Sequence, residues 1–231
     1  MNALDSIDSK KSLGAICLMM VISLGTLQIQ PILGGALIDQ LGLPLNAIGA
    51  IFAAELIAMA MACGVCALFM ARVDRRRFAL VALLILAAGN LASTQLHSQA
   101  WLVVFRIICG ASGGAVMAVV YATAALRRSK DATFAVINIG NLLWGMLLVT
   151  SMPTLLQAFG VQGAFCLLAI TSLLAALGCW KIPRHYPDAH RIAHGAAQPF
   201  GLTAVLLIML FALLFFGQDR KSTRLNSSHR L

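Results

Sequence analysis

Residues 45–77 read LNAIGAIFAAELIAMAMACGVCALFMARVDRRR, and they contain the two features that decide the fold. The part that ends at Met70 has one charged residue, Glu55, and exceeds the about 20 apolar residues that a helix needs to cross a membrane. The part that follows contains four arginines. An apolar helix followed by a basic loop is typical of a helical membrane protein whose basic loops stay in the cytoplasm.

The same alternation of apolar stretches and connections continues along the chain. Basic residues precede the first apolar stretch and follow the second, fourth and sixth, whereas the connections after the first, third and fifth contain no Lys or Arg. This asymmetry predicts an integral membrane protein whose N-terminus and basic loops lie in the cytoplasm. We expect its location to be the bacterial inner membrane. The predicted spans are 13–37, 45–70, 78–96, 101–126, 132–159, 163–180 and 201–217.

The composition argues for lipid as the solvent. Apolar residues make up 60% and charged residues 11% of the chain, against roughly 45–50% and about 25% in soluble domains. The net charge of +9 is spread over short loops, which argues against nucleic-acid binding. We expect no cofactor and no metal site: Cys63 and Cys66 are packing residues within a span, and His185, His190 and His194 lie in a proline-interrupted stretch.

The predicted fold class is an all-α membrane protein, a six-helix transmembrane bundle followed by a seventh, cut-off helix. Residues 1–180 form the bundle, 181–200 a central cytoplasmic linker, and 201–218 the start of a second bundle. Residues 219–229, DRKSTRLNSSH, resemble the translation of a common short-read sequencing adapter. We therefore expect residues 219–231 to be non-native and the chain to be a fragment of a longer gene product.

Polar side chains inside the spans are the candidate functional residues, because each is costly in lipid. Glu55 and Arg106 can form a direct pair or a water-bridged pair, or they can act separately. Asn90 is expected to hydrogen-bond to a neighbouring helix. For the amides, lining a solute path and bonding between helices are equally good interpretations. The candidates for the substrate path or for coupling are Gln28, Gln30, Glu55, Arg106, Asn138 and Asn141.

Small residues recur at the spacing of helix–helix contacts. Gly110 and Gly114 form a G-x-x-x-G pair in the fourth span, and a stripe of small residues runs along the second span. Both patterns predict close helix packing. The stripe consists of Ala50, Ala54, Ala58, Ala62 and Cys66.

Three segments of the chain resemble family signatures. Residues 106–115, RIICGASGGA, are similar to an R-x-x-x-G-x-G fourth-helix signature, and residues 67–77, ALFMARVDRRR, are similar to a G-x-x-x-D-R-x-G-R-R-R loop between helices 2 and 3. Residues 159–165, FGVQGAF, resemble a G-W-R-x-x-F element before helix 6. All three are signatures of the major facilitator superfamily. The resemblance covers roughly residues 10–217.

This resemblance implies a secondary transporter built from two six-helix bundles, the second of which is missing here. A small solute would bind between the bundles and cross the lipid bilayer by alternating access, coupled to protons or another ion. Ala71 stands at the acidic position of the signature loop, so Asp74 would have to take the acidic role. The resemblance assigns cytoplasmic gating to Arg72, Asp74, Arg75, Arg76 and Arg77.

The alternative to transport is another kind of membrane protein, a scaffold or an intramembrane serine hydrolase. The hydrolase would use Ser112 of the G-x-S-G sequence and would need a histidine on another membrane helix to take the serine proton. Such a histidine in the complete gene product would favour the hydrolase, and a second six-span half would favour transport.

Overall fold

The described part of the chain consists of helices and short connections. A computed structural model describes residues 7–95 and 98–182, which belong to one unit, Met1–Pro187. No strand occurs within these ranges. The helices are α1 (Lys10–Ser23), α2 (Gly25–Leu41), α3 (Leu45–Phe69), α4 (Arg75–Ser93), α5 (Gln99–Ala124) and α6 (Lys130–Gly178), followed by a 3-10 turn (Cys179–Lys181).

Five stretches of the described chain are long and apolar enough to cross a membrane. The first combines α1 and α2, which meet at Leu24, and the others contain α3, α4, α5 and α6. The predicted fifth and sixth spans therefore both lie in α6. The predicted linker after Ile182, the seventh span and the tail lie outside the described residues.

α6 is too long to cross a membrane once. Its 49 residues would extend about 74 Å as one straight helix, more than twice the hydrocarbon core of about 30 Å. Gly160 interrupts it with φ 64° and ψ −168°. Trp144 and Leu168, on either side of this glycine, both lie beside Gly25, although a straight helix would hold them about 36 Å apart. The chain therefore reverses direction at Gly160.

A side chain from α2 supports this reversal. The backbone N–H of Val161 donates a hydrogen bond to Oε1 of Gln40 at 2.8 Å. This N–H begins the helical segment that follows Gly160, so it has no acceptor one turn earlier in a regular helix. Gln40 thus caps the second part of α6 from a different helix.

Replacing Gly160 with alanine is expected to destabilise the reversal by about 1–3 kcal/mol, because the backbone conformation at Gly160 is essentially restricted to glycine. A Cβ atom there would also lie 2.9 Å from Oε1 of Gln40. Unfolding in mixed detergent micelles measures the loss. Gly35→Ala is the matched control, because no atom of the described chain lies within 4 Å of a Cβ atom at Gly35. Equal stability of the two variants would contradict the assigned reversal.

α5 is the central helix of the described bundle. It packs most extensively against α3 and also contacts α4 and α1. A Cβ atom on Gly110 would lie 2.2 Å from the carbonyl oxygen of Glu55, and one on Gly114 would lie 2.1 Å from that of Met59. These glycines therefore let the backbones of α5 and α3 touch.

The small-residue stripe of α3 is not the face on which this contact centres. Cys66 is buried, but Ala50 is exposed and Ala54 is only half-buried, whereas the larger Ile51, Glu55 and Met59 are buried. The close approach comes from the glycines of α5, so α3 needs no small residues opposite them.

Candidate functional site

A buried arginine lies at the centre of the polar cluster in the described bundle. Arg106 of α5 is 1% exposed. Its Nη2 donates to Oδ1 of Asn90 at 2.9 Å, to Oγ of Ser93 at 2.8 Å and to Sγ of Cys109 at 3.1 Å. Its Nη1 lies 3.5 Å from Oε1 of Glu55. The shortest contacts of the cation are therefore to neutral acceptors on α4, and the contact to the carboxylate is longer.

The carboxyl group of Glu55 is only partly engaged. Glu55 is 2% exposed on α3, and the hydroxyl of Thr26 on α2 faces the same carboxyl group. Its Oε2 makes no hydrogen bond with the described residues, and neither does Nε of Arg106. The pair thus keeps one acceptor and one donor without a partner in a region where unsatisfied polar atoms are costly.

An aromatic ring closes the cluster on the side of α6. The guanidinium carbon of Arg106 lies 4.9 Å from the ring centroid of Phe165, and Phe165 is itself buried. This is a cation–π distance. Since α2, α3, α4, α5 and α6 all contribute side chains, the cluster joins five helices and is enclosed by protein. Asn90 makes the contact to a neighbouring helix that its position in a span required.

The amide candidates do not join this cluster. Nε2 of Gln28 donates to Oδ1 of Asn141 at 2.5 Å and to the Asn141 carbonyl at 3.2 Å, which links α2 to α6. Gln28 Oε1 and Gln30 Nε2 are buried without hydrogen-bond partners among the described residues. Asn138 is exposed. The six candidates thus divide into an ion-pair cluster, an amide bridge and two separate amides.

An apolar groove runs between α1 and α6, with a volume of about 780 Å³. Its lining includes Leu13, Cys17, Val21, Gly140 and Trp144. Glu55 and Arg106 do not contribute to it. The groove therefore offers apolar contact and lies apart from the buried charges.

The loop between α3 and α4 is tied to its surroundings by several contacts. Asp74 caps α4 by accepting from the backbone N–H groups of Arg76 and Arg77, and it lies 3.6 Å from the Arg77 side chain. Arg75 is buried and donates to the carbonyls of Met70 at 3.3 Å and Ala122 at 3.4 Å.

The same loop also contacts the end of the described chain. The Arg76 guanidinium lies 4.3 Å from the ring centroid of Trp180, and Arg72 is exposed. Asp74 thus caps the N-terminus of α4. The arginines that follow α3 differ in burial and in the groups that they contact.

The hydroxyl of Ser112 is hydrogen-bonded within its own helix. Its side chain donates to the carbonyl of Ile108 at 2.8 Å, one turn earlier in the same helix.

Among residues 7–95 and 98–182, no group of three His, Cys, Asp or Glu side chains could hold a metal ion. The six cysteines are free thiols.

Sequence reasoning missed several partners of the charged pair. Ser93, Thr26 and Phe165 are ordinary residues of membrane helices, and only the packing of the bundle shows that they face Arg106 or Glu55. For Asn90 the sequence did indicate a contact to another helix, because an amide within a span needs a hydrogen-bond partner.

The comparison with protein families agrees with this architecture. A family model described as Major Facilitator Superfamily matches residues 12–227. No curated protein sequence matches the chain. The matched range includes part of the segment 219–231, and the adapter origin of that segment stays a prediction.

Proposed function

The chain belongs to the major facilitator superfamily, and from this premise we propose that it moves a small solute by alternating access. Membership makes it an integral membrane protein and a membrane transporter. The observation that carries the proposal is the family match over residues 12–227, together with apolar helices long enough to cross a membrane. Alternating access is the transport mode in which one bundle rocks against another around a central site.

We propose that the described helices make six crossings and form one of the two bundles. The reversal at Gly160 supports this count, because it divides α6 into two segments of membrane-crossing size. The absence of Lys and Arg from alternate connections supports an orientation with the basic loops in the cytoplasm. The location that we propose is the bacterial inner membrane.

Glu55 is the candidate coupling residue in this bundle. A proton-coupled step requires a group that can change its charge within the membrane, and a carboxyl group can do so whereas a guanidinium cannot. The Oε2 atom of Glu55 has no hydrogen-bond partner in the described part of the chain, and this supports the role because it leaves a position for a proton. Arg106 would then hold the compensating charge when Glu55 is ionised.

The amides and the basic loop have other proposed roles. Gln28 and Asn141 are proposed to line the solute path, because they form a polar bridge between α2 and α6 in which Oε1 of Gln28 has no partner among the described residues. Gln30 and Asn138 are further candidates for that path. The contact of Arg76 with Trp180 supports a gating role on the cytoplasmic side, because it links the start of α4 to the end of the described chain. Asp74 supports the same role by capping α4 beside Arg76.

Membrane vesicles test the proposal. The complete gene product should accumulate or expel at least one member of a panel of radiolabelled small solutes, and its Glu55→Gln variant should lose the dependence on a proton gradient. Residues 1–217 alone should move none of these solutes, because one bundle leaves its inner face unpaired. Solute movement by residues 1–217 alone would contradict the two-bundle proposal.

A further inference from the structure

The segment before α1 is held against the connection between α5 and α6. Arg127 is 5% exposed and donates to the backbone carbonyls of Ile7, of Asp8 at 3.3 Å and of Ser9 at 3.4 Å. Its Nε donates to Oγ1 of Thr133 at 3.0 Å. One buried side chain therefore binds three consecutive residues of the N-terminal segment and the first turn of α6.

Arg128 makes a second set of contacts to the same N-terminal segment. The backbone N–H of Arg128 donates to Oδ1 of Asp8 at 3.1 Å, and its Nε lies 3.4 Å from Oδ2. The Arg128 side chain is 81% exposed, so the ion pair by itself contributes little. The backbone hydrogen bond fixes the position of Asp8. Ile7 is 1% exposed and is buried beside it.

The chemistry at position 127 requires arginine. A guanidinium carries five N–H donors in a planar fork, whereas a lysine ammonium carries three donors on one atom and cannot reach widely spaced acceptors together. Arg127 also follows the C-terminus of α5, where the helix dipole favours a cation. The Thr133 hydroxyl donates onward to the Ser129 carbonyl at 2.8 Å, which orients its oxygen toward Arg127.

We propose that residues 7–9 form a strap, which Arg127 and Arg128 hold closed across the start of α6. The strap ends at Ser9, whose Oγ accepts from the backbone N–H of Ser12 and caps α1. The strap therefore fixes the first turn of α1 to the bundle, and opening it frees that turn. This role does not depend on which solute is moved or on which side of the membrane the strap lies.

Hydrogen exchange of the Arg128 backbone amide, measured on the 231-residue chain in lipid nanodiscs, tests the strap. Asp8→Ala removes the acceptor of the Arg128 amide, so that amide should exchange about tenfold faster. Asp8→Asn keeps an oxygen acceptor and should retain most of the protection. Asp131→Asn is the control, because Asp131 is an exposed acid near the same connection. Equal exchange rates of the Arg128 amide in Asp8→Ala and in the unchanged chain would overturn the proposal that residues 7–9 form a strap.

A cysteine pair gives a second measurement in a chain whose six native cysteines are replaced. Asp8→Cys with Arg128→Cys should cross-link efficiently with a short bifunctional reagent, while Asp8→Cys with Arg77→Cys should not. Adding Arg127→Gln or Arg127→Lys should lower the first yield severalfold. Equal yields from the two pairs would overturn the strap. If the Arg127 variants fail to fold, the two cysteine pairs and the Asp8 variants still test whether residues 7–9 are held against the connection between α5 and α6.

Discussion

Glu55→Gln is expected to destabilise the folded chain by about 3–5 kcal/mol, and more than Arg106→Gln does. Arg106 stays charged, so the loss of Glu55 leaves a cation that is 1% exposed among neutral partners. The loss of Arg106 strands a carboxyl group instead, and that group can take up a proton and become neutral. Unfolding in mixed detergent micelles measures both losses.

The double variant and an exposed amide complete this experiment. Glu55→Gln together with Arg106→Gln removes both charges, so it should be more stable than the sum of the single losses predicts. Asn138→Ala is the control, because Asn138 is exposed and its loss should change stability by less than about 0.5 kcal/mol. Strictly additive losses would show that the two charges, although 3.5 Å apart, do not stabilise each other.

Gly114→Ala and Gly110→Ala should each destabilise the bundle by about 3 kcal/mol, the upper end of the usual cost of overpacking. A Cβ atom at either position would lie little more than 2 Å from a backbone carbonyl oxygen of α3, at 2.1 Å for Gly114 and 2.2 Å for Gly110. A backbone carbonyl cannot rotate away as a flexible side chain can, so α3 and α5 must move apart. In Gly110→Ala the displaced carbonyl belongs to Glu55, so this change should also lengthen the contact between Glu55 and Arg106.

The control for both glycines is Gly64→Ala in α3. Among the described residues, no atom lies within 4 Å of a Cβ atom at Gly64, and alanine is favoured over glycine in a helix interior by about 1 kcal/mol. Gly64→Ala should therefore be neutral or slightly stabilising in the same unfolding assay. A loss at Gly64 as large as at Gly114 would show that the micelle-solubilised chain responds in this way to any Gly→Ala change, and that the contact between α3 and α5 is not the cause.

The helical membrane architecture could be predicted because lipid imposes a simple rule on the sequence. Each crossing needs about 20 apolar residues, and the spans read from the sequence lie close to the helices, as for α3 at Leu45–Phe69. The break predicted after Phe159 coincides with the non-helical Gly160. The direction of the chain beyond that break depends on packing against Gly25, which no local pattern contains.

The site could be predicted only in part. The depth of Glu55 and Arg106 in their spans follows from their distance to the span ends, and this made a direct pair possible. It did not identify the neighbours, because the rotation of each helix is set by contacts made along its whole length. The alanine stripe of α3 illustrates this, since Ala50 is exposed while the larger Ile51 and Met59 are buried.

Cysteine labelling from one side of the membrane tests whether the described helices make six crossings in one bundle. In a cysteine-free chain in intact cells, single cysteines at Ser98 and Gln162 should react with an impermeant thiol reagent. Cysteines at Arg76, Lys130 and Lys181 should react only after the membrane is permeabilised. Labelling of Lys130 and Lys181 from opposite sides would mean that α6 crosses once, and this would contradict the account.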